Sequence, residues 1–249
     1  MSILLFILGA SIGSFINAAV FRLHEGKSMV LDRSRCPKCG HILSWHELIP
    51  LLSFLIQYGR CRACEQKISW QYPLAELAAG LIFVFIYCQF SIFNFQLWYL
   101  FLIFSALLFI FIFDLKYYII PNRVLYPLIA IVLLYNLSAL SLAENLGRLF
   151  AIAPAAGFFL ALYLISRGTW IGFGDVKFGI FMGLFLGWPA VLAALFLSYL
   201  LGALIGGLLM FLGGKTLKSQ VPFGPFLIAG TFIAFFYGER IIEWYLNII

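Results

Sequence analysis

The chain has 249 residues, of which 64% are hydrophobic and 10% charged, and it carries a net charge of +6. A soluble domain carries about 25% charged residues, and a water-soluble fold of this length leaves too much surface in water to hide so many apolar side chains. The composition therefore excludes an ordinary soluble domain and makes lipid the natural solvent.

A membrane-spanning helix takes about 20 apolar residues. In chain order, the candidate spans are 1–21, 73–90, 95–113, 124–140, 149–165, 176–188, 190–212 and 223–237. The first stretch lacks the basic start of a secretory signal, and no small-residue cleavage pattern follows it, so it reads as a retained helix. Segment 22–72 is the only one with soluble-domain composition. The expected organisation is a first helix over 1–21, a polar loop over 22–72 and a membrane core over 73–249. The fold class is all-α, with about eight transmembrane helices.

The sixth span is the least clear. Residues 178–212 form one apolar run interrupted by Gly187-Trp188-Pro189. At 1.5 Å per residue the run is too long for one crossing and short for two. Basic residues concentrate in cytoplasmic loops, and only two crossings put Lys177 and Lys215 on the same side. With eight spans and the N-terminus outside, fourteen of the sixteen lysines and arginines are cytoplasmic, among them Lys218, and only Arg148 and Arg240 are outside. Membrane orientation thus accounts for the basic balance, and no nucleic-acid partner is implied.

Glycines recur at helical spacing, at Gly9 and Gly13, at Gly179, Gly183 and Gly187, and at Gly202 and Gly206. Such spacing lets helix backbones approach closely in lipid. The lone Cys88 lies in an apolar run and reads as a small core residue.

The polar loop holds two Cys-x-x-Cys pairs, Cys36 with Cys39 and Cys61 with Cys64. Two such turns can present four thiolates to one tetrahedral zinc, and the spacing is close to a zinc ribbon. The cytoplasm disfavours disulfides, and Arg35, Lys38, Arg60 and Arg62 favour thiolates. A redox dithiol and unconnected cysteines are the alternatives. A four-cysteine zinc would be structural, with no open position for substrate water.

Of the three aspartates, Asp32 lies in the polar loop and reads as solvated. Asp114 ends the apolar run 107–113, and Asp175 follows Gly172-Phe173-Gly174 just ahead of another. Under the expected topology both lie at cytoplasmic helix ends, at similar depth. An acid there is costly and usually functional. Two close carboxylates share a proton, so one can activate water while the other acts as an acid toward a scissile carbonyl. The two glycines would let an extended substrate backbone approach Asp175. Ion or proton transport, and simple anchoring by Lys116, Arg123 or Lys177, are the competing readings.

Taken together, these motifs resemble the type IV prepilin peptidases, membrane aspartyl proteases with a Gly-x-Gly-Asp motif. The resemblance runs through Gly13-Ser-Phe-Ile-Asn17, Phe21-Arg22-Leu23 and Cys36-Pro-Lys-Cys39. It continues through Leu43-Ser-Trp45, Ile49-Pro50, Gly59-Arg-Cys61-Arg-Ala-Cys64, Ile68-Ser69 and Tyr72-Pro-Leu-Ala-Glu76. Further on come Phe113-Asp114, Ile120-Pro-Asn122, Gly172-Phe-Gly-Asp175-Val-Lys177 and Pro222-Phe-Gly-Pro225. Asn122 departs from the pattern, since many relatives have aspartate there, and no third acid is placed in the mechanism. The resemblance implies that Asp114 and Asp175 are catalytic. It implies cleavage of the basic leader of prepilins or pseudopilins after a glycine, at the cytoplasmic face of the bacterial inner membrane. It also implies methylation of the new N-terminus by S-adenosyl-L-methionine, since the cysteine loop accompanies the bifunctional members. No glycine-rich nucleotide fingerprint marks a site for the methyl donor. Asn17, Arg22 and Glu76 are candidates near either site, with helix-end anchoring as the alternative. An ion-coupled transporter using Asp114 and Asp175 is the second function class, although transporter sites usually lie near the midplane.

Overall fold

The computed structural model describes residues 1–29, 32–90, 94–212 and 221–247. Lys215 and Lys218, two of the cations used to orient the chain, lie outside the described residues. The chain divides into two compact units, Met1–Ile112 and Phe113–Ile249. The described secondary structure is helical apart from two isolated antiparallel bridges.

The first unit contains α1 (Ser2–His24), the short α2 (Leu52–Ile56), α3 (Gln71–Phe90) and most of α4 (Phe95–Tyr117). Helices α1 and α3 run antiparallel with their backbones in close contact. A Cβ at Gly9 would lie 2.6 Å from the Ala79 carbonyl oxygen, and one at Gly13 would lie 2.7 Å from that of Ala75. Dispersion between close backbones replaces the hydrophobic effect as the force joining helices in lipid, and here only glycine permits the approach. Phe83 of α3 stacks on Phe101 of α4 at 4.1 Å between ring centroids.

The second unit begins with the last turns of α4. It continues through α5 (Asn122–Ala139), α6 (Leu142–Ser166), α7 (Phe173–Leu186), α8 (Ala190–Phe211) and α9 (Gly224–Leu246). The Ser141 hydroxyl accepts from the Glu144 amide, and the Glu144 carboxylate accepts in return from the Ser141 amide, closing a capping box at the start of α6. Helices α6 and α7 run antiparallel, with Gly179 against Ala156 and Gly183 against Ile152. Helices α8 and α9 do the same, with Gly202 beside Phe223 and Phe226, and Gly238 beside Ala190. Gly206 departs from the expected packing role, because a Cβ there would meet nothing within 4 Å.

Among the described residues, seven helices are long and apolar enough to cross a membrane. The remaining expected span, 176–188, is realised as α7, which has 14 residues and a length of about 21 Å. The apolar run is therefore two helices, broken at Gly187-Trp188-Pro189, where Gly187 has φ +75°. A helix too short to cross alone is tolerated where protein rather than lipid surrounds it, and nine residues of α7 are buried. Its last carbonyls find donors. The Asn136 amide donates to the Leu184 oxygen at 2.9 Å, and the Arg148 guanidinium donates to the Leu184 and Phe185 oxygens. These bonds satisfy groups that a helix end otherwise leaves unpaired. Several helices also run past the expected span ends. Helix α6 starts at Leu142 rather than 149 and takes in Glu144, Asn145 and Arg148, while α9 continues to Leu246 through Glu239, Arg240 and Glu243. Hydrophobicity marks the lipid-facing part of a helix, and the helix itself extends into the polar boundary.

Candidate active site and cysteine module

Two helix starts and one helix end build the acidic site of the second unit. Asp114 lies in the last turn of α4 and is 4% exposed. Its Oδ2 accepts a hydrogen bond at 3.1 Å from the amide of Gly224, the first residue of α9. Asp175 lies in the first turn of α7 and is 7% exposed. Its Oδ2 accepts from the Gly172 amide at 3.2 Å. Unpaired amides and the helix dipole make a helix start favourable for a carboxylate. The two residues, remote in sequence, lie close enough for their charges to interact. The Tyr199 phenol of α8 also lies within electrostatic reach of Asp175 and packs against Phe159 and Phe223.

The anchoring alternative calls for a basic partner. Neither carboxylate forms an ion pair with a lysine or arginine among the described residues. Lys177 instead donates to the Asn122 side-chain oxygen at 2.6 Å and lies over the rings of Tyr126 and Phe173. Asn122 thus holds a lysine beside the site.

A Cβ at Gly174 would lie 3.2 Å from that of Ile120, so this glycine also lets the start of α7 close on the turn before α5, whereas a Cβ at Gly172 would meet nothing nearer than 3.8 Å. The tightest constraint is at Gly224, where a Cβ would lie 2.5 Å from Asp114 Oδ2. Sequence reasoning noted Pro222-Phe-Gly-Pro225 without giving it a role, and it missed Tyr199 altogether.

The four cysteines of the loop converge in the first unit. Their sulfurs all lie within 4.8 Å of one another, with Cys36 to Cys64 and Cys39 to Cys61 each at 4.0 Å. A disulfide needs about 2.05 Å, and all four cysteines are free. A zinc tetrahedron with bonds of about 2.3 Å has edges of about 3.8 Å, so the set fits such an ion with movements of a few tenths of an ångström. Each pair sits on the same turn. The Cys36 amide donates to the His41 oxygen and the Gly40 amide to the Cys36 oxygen, while the Cys61 amide donates to the Gln66 oxygen and the Glu65 amide to the Cys61 oxygen. A bridge closes each turn, Arg35 with Ile42 and Arg60 with Lys67. The match extends to Leu43-Ser44-Trp45 and Ile68-Ser69-Trp70, so the module is an internal duplication that sequence analysis overlooked. Beside it, the Ser44 hydroxyl and amide donate to Glu47 and hold its carboxyl down at about 2, against an ordinary 4.5. That contribution to loop stability is full above about pH 4.5 and is lost as pH falls through about 2.

The remaining candidates each form hydrogen bonds within the first unit. The Asn17 side chain donates to the Tyr72 oxygen and joins α1 to the start of α3, and the Arg22 guanidinium donates to the Met29 oxygen and the Ser34 hydroxyl. Glu76 is 7% exposed and accepts from the Leu51 amide at 2.7 Å.

Residues 7–90 match the bacterial peptidase A24 N-terminal domain, and residues 100–207 match the type IV leader peptidase family. The chain is 36% identical to a prepilin leader peptidase/N-methyltransferase of Bacillus subtilis, over 98% of this chain and 97% of that one. It is 34% identical to a protein of that name from Myxococcus xanthus, over 86% of this chain and 64% of the relative. It is 30% identical to one from Pseudomonas aeruginosa, over 97% and 92% respectively. No solved structure matches the chain.

Proposed function

The chain belongs to the type IV leader peptidase family, and on that premise we propose that it hydrolyses the leader of prepilins or pseudopilins and then methylates the N-terminus so released. The observation that carries the reading is the pair Asp114 and Asp175, both buried, each held by a backbone amide at a helix start and within electrostatic reach of the other. A pair of this kind binds one proton between its members. The ionised aspartate takes a proton from a water, and the water oxygen attacks the scissile carbonyl carbon. The protonated aspartate donates to the carbonyl oxygen. Breakdown of the tetrahedral species returns that proton to the departing amine, with no covalent bond to the enzyme. The ion-coupled transporter alternative finds no support in the family or its relatives.

Three finer parts belong to the same proposal. The chain lies in the bacterial inner membrane, with its N-terminus outside and the aspartates at the cytoplasmic side, following the distribution of its basic residues. Cys36, Cys39, Cys61 and Cys64 hold one zinc ion, which folds the polar loop and takes no part in the chemistry. S-adenosyl-L-methionine supplies the methyl group. The test is incubation of the purified protein with a prepilin in detergent, with and without S-adenosyl-L-methionine, followed by mass measurement of the product N-terminus. The reading requires leader loss in both samples and one added methyl group only with the donor. Intact prepilin in both would overturn it.

A further inference from the structure

Methylation of an α-amine needs chemistry that the aspartate pair does not supply. An N-terminal ammonium has an ordinary pKa of about 7.7–8.0, so it is mostly charged at neutral pH and has no lone pair. A proton acceptor must remove one proton before the nitrogen can attack a methyl donor. The leader peptidase match covers residues 100–207, whereas 7–90 match a separate N-terminal domain, and that domain contains a buried carboxylate outside the aspartate pair, Glu76.

Glu76 lies in the second turn of α3, in a helix apolar enough to span the membrane. It lies where α1 packs closely on α3, since a Cβ on Gly13 would lie 2.8 Å from the Glu76 Cα. Burying a carboxylate at this depth is costly unless a cation or several donors compensate. Among the described residues no lysine, arginine or histidine forms an ion pair with it. The hydrogen bond it accepts comes from the Leu51 amide at 2.7 Å, and the Ser14 hydroxyl lies nearby. An ionised carboxylate offers about four acceptor sites, so capacity remains for a further donor. The neighbouring polar groups are already committed. Asn17 donates to the Tyr72 oxygen and accepts from Gln71, and Arg22 is turned to Met29 and Ser34. Glu76 is thus the membrane-helix carboxylate of this unit that still lacks a cationic partner.

We propose that Glu76 is the acceptor site for methyl transfer, binding the N-terminal ammonium of the processed substrate and acting as its general base. This inference rests on the methyl-transfer part of the proposed function. The ammonium donates a hydrogen bond to the carboxylate and passes one proton to it, leaving a neutral amine. The nitrogen lone pair forms the new N–C bond to the methyl group of a sulfonium donor. The C–S bond breaks with its electron pair on sulfur, giving a neutral thioether and a methylated ammonium. Glu76 later returns its proton to water.

The test uses the full chain in detergent and a peptide with the sequence of a mature pilin N-terminus, with either a free or an acetylated amine. Without any methyl donor, the wild-type protein binds the free amine at least 10-fold more tightly than the acetylated peptide, and Glu76→Gln removes the difference. With S-adenosyl-L-methionine and a full prepilin, Glu76→Gln cleaves the leader at the wild-type rate but methylates at least 100-fold more slowly, and Glu76→Asp recovers part of the loss. Equal binding of the two peptides by the wild-type protein would overturn the assignment, as would unchanged methylation by Glu76→Gln. Loss of cleavage together with methylation in Glu76→Gln would make Glu76 a structural support and also overturn it. A wild-type protein that cleaves but never methylates would remove the premise and the inference together, while leaving the peptidase reading intact.

Discussion

At the scale of single residues, Gly224 governs the aspartate pair more tightly than its small size suggests. A methyl group there would lie 2.5 Å from Asp114 Oδ2 and would displace the carboxylate from the amide that holds it. Misplacing a reacting group by about 1 Å can cost about 100-fold in rate. Gly224→Ala is therefore expected to slow leader cleavage by about 100-fold or more, measured on purified protein. Gly206→Ala, where a Cβ meets nothing within 4 Å, should cleave at the wild-type rate. Asp114 and Asp175 were legible in the sequence because an acid at the end of an apolar run violates the local pattern. Gly224 and Tyr199 were not. The bond from Gly224 to Asp114 joins positions 110 residues apart, and Tyr199 is one aromatic among many in an apolar helix, so neither leaves a local signature.

At the scale of elements, the short α7 is defined by what packs on it. A Cβ at Gly183 would lie 2.6 Å from the backbone of Ile152 in α6, whereas one at Gly157 would be in open space. Overpacking of this kind typically costs about 1–3 kcal/mol. Gly183→Ala should lower the thermal midpoint in detergent, and Gly157→Ala should leave it unchanged. The glycine spacing pointed to such contacts but did not identify the partners, because periodicity reports a helix face and not the neighbour it meets. The cysteine module shows the opposite case. Its four ligand positions were readable from spacing, and its duplication was equally present in the sequence, as Arg35-Cys36 through Trp45 and Arg60-Cys61 through Trp70 show. Metal analysis should find about one zinc per chain, and Cys36→Ser or Cys61→Ser should release it. Zinc-free protein with four reactive thiols would favour the redox reading instead.

At the scale of the whole molecule, composition alone identified the solvent, and the apolar runs located eight of the nine α-helices among the described residues, missing only the short α2. The reading was weakest at boundaries. Helices α6 and α9 continue through charged residues beyond the apolar stretch, and 176–188 became a buried helix of 14 residues rather than a full-length span. Hydropathy reports how apolar a segment is, so it located α7 but could not tell a helix sheathed by its neighbours from one facing lipid. The two units also differ in how their chemistry could be read. Asp114 and Asp175, the proposed catalytic pair, stood out in sequence, while Glu76 could be read there either as a site residue or as a helix-end anchor, and its hydrogen bond from Leu51 came only with the structure.

The central claim is that Asp114 and Asp175 act as one proton-sharing unit on the scissile bond. The most direct measurement is the rate of leader removal from a prepilin by wild-type protein, Asp114→Asn and Asp175→Asn, all membrane-inserted and present at equal amounts. Removing one member of a cooperative catalytic set costs about 10⁴-fold or more, and each variant is expected to lose cleavage to that extent. Substantial cleavage by either variant would contradict the account.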